Sequence, residues 1–440
     1  MEIKLPANVQ KIISVLEEAG HEAYAVGGCV RDSLLGRTPN DWDITTSAEP
    51  LEVKKLFKRT FDTGIQHGTV SVLFGKEIYE VTTYRVDGKY EDSRHPSEVS
   101  FTKSLKEDLR RRDFTINAMA YNPRSGIVDI FGGIKDLECK TIRAVGVPAE
   151  RFGEDALRIL RAVRFAAQLG YSIDKETEAA ILKLAPTLTK ISAERIRTEL
   201  EKLLVSDNPG FIKKAWELGI TKVVLPEFDA MMETPQNNPN HAYNVGDHSV
   251  KVLENVRGDR VLRLTALLHD SGKAVTRTTD ENGIDHFKGH AEKGAEIATG
   301  VLRRLKYDRD TEKLVTRLVE HHDWEIHARS KDIRKWVNRI GEDCFPLMFE
   351  INDADLLAQS EYNREEKTAH LARLKEAYEA MIESGDCISL KDLKVTGSDL
   401  IKAGIPAGPK VGEELKKLLD LVLEDPKRND RDFLLSQVNR

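Results

Sequence analysis

Asp41 and Asp43 stand one residue apart in Asp41-Trp42-Asp43-Ile44-Thr45-Thr46. Along a strand, residues i and i+2 point to the same face, so this spacing projects both carboxylates together. Two like charges side by side repel unless a cation neutralises them, and hard oxygen ligands suit Mg2+ in phosphoryl or nucleotidyl transfer. A capping and turn pair in a polar loop is the competing reading of this spacing alone. About ten residues earlier, Val26-Gly27-Gly28-Cys29-Val30-Arg31-Asp32 reads as a strand running through two glycines into a helix. Paired glycines let backbone N–H groups approach phosphate oxygens, and Arg31 in the first helical turn adds a forked cation. Glu80, on a neighbouring strand, is either a third carboxylate of this group or a solvated strand residue.

Two further sets of residues invite chemistry. In Glu154-Asp155-Ala156-Leu157-Arg158 the spacing puts Asp155 and Arg158 on one helical face, an acceptor beside a donor. Cytosine and adenine present an exocyclic amino donor next to a ring-nitrogen acceptor, whereas uracil and guanine present a carbonyl next to an N–H. One Asp–Arg pair therefore matches C and A and leaves U and G with unmatched polar groups, at about 1 to 3 kcal/mol each. The plainer reading is an i, i+3 salt bridge. From Lys140 to Arg164 six basic residues face three acidic ones, a stripe that suits a polyanion or is a solvated helix face. The other set is rich in histidine: His248, the adjacent His269 and Asp270, His290, the pair His321 and His322, and Asp355 follow in order. His269 and Asp270 can turn toward one cation, with His248 and either Asp355 or Asp353 closing the site. Mixed imidazole and carboxylate ligands suit a divalent transition metal.

The glycine turn and the Asp41/Asp43 pair, followed by RRRDFTINAMA at 110–120 and RFGEDALRILRAVRFAAQLG at 151–170, resemble the DNA polymerase β nucleotidyltransferase superfamily. More closely, they resemble the class II tRNA nucleotidyltransferase (CCA-adding) and bacterial poly(A) polymerase family, over roughly the first 220 residues. The resemblance implies that Asp41 and Asp43 are catalytic and hold Mg2+. It assigns nucleotide contacts to Gly27, Gly28, Arg31, Arg112, Asp113, Asn117, Asp155, Arg158, Arg161 and Arg164. Within these, Arg112 meets phosphate or ribose, Asp113 meets the ribose hydroxyl, and the Asp155/Arg158 motif recognises the base. The implied activity is addition of the 3′-terminal CCA to tRNA from CTP and ATP without a nucleic-acid template.

The rivals are a poly(A) polymerase of the same fold, an enzyme adding only A, and a phosphohydrolase whose head merely binds RNA. TGIQHGTVSV at 63–72 looks like the CCA-adding version of that segment, and intact head motifs speak against an inert head. The polar segment at 85–104 resembles the loop that accompanies addition of the terminal A in this family. The histidine pattern is similar to that of HD-type metal-dependent phosphohydrolases, which implies possible hydrolysis of phosphoesters, such as a 2′,3′-cyclic phosphate on damaged tRNA.

The elements that must hold these groups change character along the chain. Between Ala23 and Ile130 short β-branched runs alternate with turns, at Ala23–Val26, Trp42–Thr46, Thr69–Phe74, Ile78–Tyr84 and Ile127–Ile130. Gly75 and Lys76 join the third and fourth as an antiparallel hairpin. A first helix places Ile12, Ile13 and Leu16 inward and stops at Gly20. Beyond about residue 140 the apolar spacing is helical almost throughout. The expectation is an α+β nucleotidyltransferase head with a small mixed sheet (1–140), an all-α neck and body (141–235), an all-α HD domain (241–360) and a helical tail (361–440). The polar stretch 233–240 reads as a linker.

With 440 residues, 40% hydrophobic and 32% charged, the chain has length for about three domains and is neither a disulfide miniprotein nor disordered. No apolar run approaches the roughly 20 residues of a membrane span, and the first twenty residues show no export signal. Four scattered cysteines form no CxxC pair, in keeping with a reducing cytoplasm. The net charge of −6 confines any nucleic-acid binding to a local patch.

Overall fold

The computed structural model describes residues 2–87 and 99–438. Of the polar segment 85–104, residues 88–98 therefore lie outside the described residues. The chain divides into two compact units, Met1–Pro226 and Glu227–Arg440.

Among the described residues, nine strands lie in the first part of unit one: β1 (Ala23–Val26), β2 (Ile44–Thr46), β3 (Thr60–Gly64), β4 (Thr69–Phe74), β5 (Glu77–Thr83), β6 (Arg85–Asp87), β7 (Val99–Phe101), β8 (Met119–Asn122) and β9 (Gly126–Asp129). Seven form one sheet in the order β3-β4-β5-β2-β1-β8-β9, and β6 pairs with β7 apart from it. The sheet is mixed, because β2 runs parallel to β5 with Ile44 opposite Val81, while β1 is antiparallel to both β2 and β8. The expected hairpin is present: Phe74 faces Glu77, and Gly75 takes a positive φ of 67° that suits a two-residue turn. The helix Ala7–Glu18 buries Val9, Ile12, Ile13 and Leu16, and Gly20 follows it with φ 88°. One expectation fails here. The β2 ladder begins at Ile44, so Asp41 to Asp43 run into the strand and are not part of it, and the Asp43 carbonyl is tied down by Val26 N–H at 3.0 Å.

The remainder of unit one is helical, with Pro148–Glu154, Leu157–Leu169, Lys175–Leu184 and Ala193–Leu204 as its main helices. Leu157–Leu169 buries Ile159, Leu160, Ala162, Val163, Ala166 and Ala167, a stripe wide enough to pack on two sides. A parallel pair, Thr141–Ile142 with Ser172–Ile173, fastens the start of this layer.

Unit two is also helical, including Val245–Asn255, Arg260–Leu268, His290–Arg304, Arg309–His321, Ser330–Ile340, Phe345–Ala358 and Arg364–Glu383. It carries one minimal hairpin, Thr278–Thr279 with Asp285–His286. The stretch 233–240, expected as a linker, is packed within this unit: Gln236 is buried and accepts from Lys273 Nζ at 2.9 Å, and Asn237 N–H donates to Asp285. Among the described residues no helix is long and apolar enough to cross a membrane.

Candidate active sites in the head and the helical unit

A cavity of about 220 Å3 opens at the ends of β1 and β2, with Asp43, Glu80, Arg85, Arg111 and Arg112 in its wall. Sheet register brings the carboxylates together: extending the Ile44–Val81 pairing back by one residue sets Asp43 across from Glu80. The Asp43 carboxyl is pushed up from its ordinary value by the protein crowding it and by the negative charges of Asp41 and Glu80, with Arg112 opposing. Such a repelling set of oxygens is the donor chemistry that a hard divalent cation relieves.

The glycine turn has a steric reason. Gly27 adopts φ 84°, and a Cβ there would lie 3.0 Å from Arg112 Nη1, so the missing side chain lets the guanidinium lie against the turn. Arg31 is braced by Asp32 at 2.9 Å and by Asn117 Oδ1 at 2.6 Å, with its guanidinium 5.1 Å from the centre of the Phe165 ring. Asp113 is buried and heavily used: Oδ2 accepts from Arg161 Nε and Nη2 at 2.9 and 2.6 Å, and Oδ1 from Asn117 Nδ2 and the Phe114 N–H. Burial alone would raise its carboxyl, but Arg161 outweighs that and holds it at about 2.

Two expectations about the helices need correction. Asp155 does not share a helical face with Arg158, because it sits in a break between Pro148–Glu154 and Leu157–Leu169 with extended backbone, φ −140° and ψ 104°. There its carboxylate accepts the Leu157 N–H at 3.0 Å, as a helix cap does, and Arg195 Nη2 at 2.7 Å. Arg158 turns to Glu154 Oε2 at 2.6 Å and to the Arg111 carbonyl at 2.9 Å. Half of the basic stripe is neutralised from outside its own stretch of sequence, while Arg151 and Arg158 meet Glu154 within it. Arg143 pairs with Asp136 and Asp174, Arg161 with Asp113, and Arg164 with Glu199 at 2.6 Å. Burial pushes Arg164 down to about 10 against the pull of Glu199. Asp108, Arg111, Arg195 and Glu199 were not singled out from sequence. Only Asp108 left a local trace, in its i, i+3 and i, i+4 spacing to Arg111 and Arg112.

The helical unit collects its histidines around Asp270, beside a cavity of about 710 Å3. His248, His269 and Asp270 form one group whose ligand atoms lie within 4.8 Å of one another, and Asp270, His290 and His322 form a second. Asp355 closes on the first, with Oδ1 2.8 Å from His248 Nε2 and 3.8 Å from His269 Nε2. Asp353, the alternative, is turned away and pairs with Lys375. His321 is likewise elsewhere, edge-on to Trp336.

The nitrogens are oriented by the backbone. His269, His290 and His322 each present Nδ1 to a carbonyl, of Ala266, Phe287 and Val319, at 2.7 to 2.9 Å. A carbonyl only accepts, so Nδ1 carries the proton and Nε2 is left as a lone pair facing the cluster. His269 is 1% exposed, and its Nε2 has no hydrogen-bond partner, which is costly in the absence of a cation. These residues fit a metal ion. Burial opposes ionisation of Asp270, yet the Lys273 ammonium beside it holds it well below the usual carboxylate range.

Comparison with known proteins adds independent findings. Residues 23–143 match the family model of the poly(A) polymerase head domain, 170–232 the RNA- and SrmB-binding site described for polymerase A, and 281–438 domain 2 of tRNA nucleotidyltransferases. The CCA-adding enzyme of Streptococcus suis is 35% identical over 446 residues, covering 99% of this chain and 97% of its own. That of Limosilactobacillus fermentum is 38% identical, covering 98% and 96%. The crystal structure of the Bacillus stearothermophilus CCA-adding enzyme in complex with CTP is similar at TM-score 0.68 and 29% identity, over 94% of this chain and 92% of that one.

Proposed function

The chain belongs to the CCA-adding enzyme family, and on that premise we propose that it builds the 3′-terminal CCA of tRNA from CTP and ATP, releasing pyrophosphate without a nucleic-acid template. The observation that carries this reading is the convergence of Asp43, Glu80 and Arg112 on one cavity beside the Gly27 turn. Asp41 and Asp43 would hold a divalent cation, Mg2+ by the hardness of the oxygen donors, with Glu80 as a third carboxylate. When bound, the metal lowers the pKa of the attacking tRNA 3′-hydroxyl and neutralises charge developing at the α-phosphate. The rest is done by the chain's own groups. Gly27 and Gly28 let the backbone approach the triphosphate, Arg31 and Arg112 meet its oxygens, and Asp113 and Asn117 fix the ribose side of the site while Arg161 and Arg164 brace them. Asp155 and Arg158 select the base, the first steadied by Arg195 and the second by Glu154.

The domain roles follow the same reading: a catalytic head at 1–140, a nucleotide- and tRNA-recognising neck at 141–235, an HD domain at 241–360 and a tail at 361–440, acting in the cytoplasm. A second reading concerns the HD domain, favoured by the unpartnered His269 Nε2 and the carbonyl-oriented imidazoles. His248, His269, Asp270 and Asp355 would hold one transition-metal ion, and Asp270, His290 and His322 could hold a second. Such ions activate water toward a phosphoester.

The test for the head offers purified protein tRNAs ending before C, after C and after CC, with each nucleotide singly. Stepwise C, C, A addition is expected. Addition of A only to the CC end would make the enzyme A-adding, and open-ended runs of A would make it a poly(A) polymerase.

A further inference from the structure

Asp108 lies in the short helix Leu105–Arg110 and is fully buried, so it touches no substrate. Its two oxygens gather groups from three parts of the head. Oδ1 accepts from Arg111 Nε and Nη2 at 3.0 and 2.8 Å and from the Arg85 N–H at 3.4 Å. Oδ2 accepts from Thr45 Oγ1 at 3.1 Å and from Arg112 Nη2 at 3.5 Å. Thr45, two residues beyond Asp43, lies on β2, and Arg85 opens β6, one residue after the end of β5, the strand that bears Glu80. A single carboxylate therefore ties β2 and the start of β6 to Arg111 and Arg112 of the cavity wall.

The charges explain what such a group does. Arg112 lines the same cavity as Asp43, and its other edge lies against the Gly27 turn. A guanidinium released from one carboxylate seeks another, and Asp43 and Glu80 line the same small cavity. An arginine paired there would occupy the oxygen lone pairs that a divalent cation needs and would withdraw its own N–H groups from the nucleotide. Asp108 supplies the competing anion from behind, where burial makes the pairing strong.

Resting on the reading of the head as the site of nucleotide addition, we propose that Asp108 is a positioning residue that holds Arg111 and Arg112 at the cavity wall and keeps them off the metal-binding carboxylates. Asp108→Asn keeps the shape and removes the charge. With the charge-assisted hydrogen bonds lost, the dissociation constant of Mg2+ or Mn2+ measured by titration calorimetry on the enzyme without nucleotide, and the KM for CTP and ATP, are expected to rise about tenfold or more. At saturating metal and nucleotide, kcat is expected to stay within about threefold, because no reacting group has been removed. Thr45→Val removes one neutral partner and is expected to lower the melting temperature without moving the metal dissociation constant.

An Asp108→Asn enzyme with unchanged metal dissociation constant and KM, or with only kcat reduced, overturns the proposal. Should that variant fail to fold, Asp108→Glu carries the test: a metal dissociation constant near that of the unaltered enzyme supports the proposal, and a raised one overturns it. The unaltered chain, assayed alongside, separates this from failure of the functional reading, which would appear as no nucleotide addition at all.

Discussion

Asp155 and Arg195, forty residues apart, are joined by a 2.7 Å hydrogen bond from Arg195 Nη2 to Asp155 Oδ2. The bond links the helix break at Asp155 to the helix Ala193–Leu204, so the carboxylate that sequence pairs with Arg158 is held by a residue from the next layer.

Arg195→Ala is therefore expected to loosen base choice as Asp155→Ala and Arg158→Ala do. Incorporation of UTP and GTP relative to CTP and ATP should rise about tenfold, the worth of one hydrogen bond to a charged group. Competition assays on tRNA lacking its CCA end measure it. Unchanged selectivity in all three variants would reduce these residues to braces.

Asp41→Ala or Asp43→Ala is expected to lower nucleotide addition by about 100-fold or more, since the cation loses an anionic ligand. The fold should not suffer. Crowding and neighbouring carboxylates raise the Asp43 carboxyl, so above its ordinary pKa the charge opposes folding, and its removal leaves the melting temperature unchanged or higher. Near-normal incorporation by either variant would sink the catalytic assignment.

The Asp113–Arg161 pair predicts an acid dependence. With its folded pKa depressed to about 2, Asp113 contributes stability above the usual carboxylate value near 4 and loses it as the pH falls toward 2. The linked contribution is about 2 kcal/mol. Asp113→Asn should melt well below the unaltered protein at pH 7, and the gap should narrow at pH 3. A gap independent of pH would mean that the charge is not what stabilises the contact.

For the helical unit, elemental analysis should find two transition-metal ions per chain, one after His290→Ala with His322→Ala, and none after His269→Ala with Asp270→Ala. Hydrolysis of 2′,3′-cyclic phosphates should fall with the metal while CCA addition persists. No bound metal in the unaltered protein, with no metal-stimulated hydrolysis, would leave this unit a structural or tRNA-positioning role.

The sequence by itself determined the class of the head and its chemistry. Strand alternation, the Gly75 turn and helical periodicity are local properties of the chain, so the hairpin, the first helix and the helical body could be read directly. The order of the glycine turn, Asp41/Asp43 and the arginine motifs was enough for family and function, because catalytic spacing is preserved in the chain itself. Histidine order likewise pointed to His248, His269, Asp270 and Asp355.

What only the tertiary structure decided is who pairs with whom. A local charge count cannot see that Arg164 is met by Glu199, thirty-five residues on, or Arg161 by Asp113, forty-eight residues back. The break at Asp155 is equally hidden, since the apolar spacing on its two sides is helical and the interruption is fixed by an N–H capped at Leu157 and a side chain held by Arg195. Asp353 and Asp355 have the same side chain two positions apart, and only the packing of Phe345–Ala358 turns one toward His248 and the other toward Lys375. Asp108 is the extreme case: its partners meet only once β2, the start of β6 and two arginines have been folded around it, so its local spacing to Arg111 and Arg112 does not by itself mark it as their shared counter-charge.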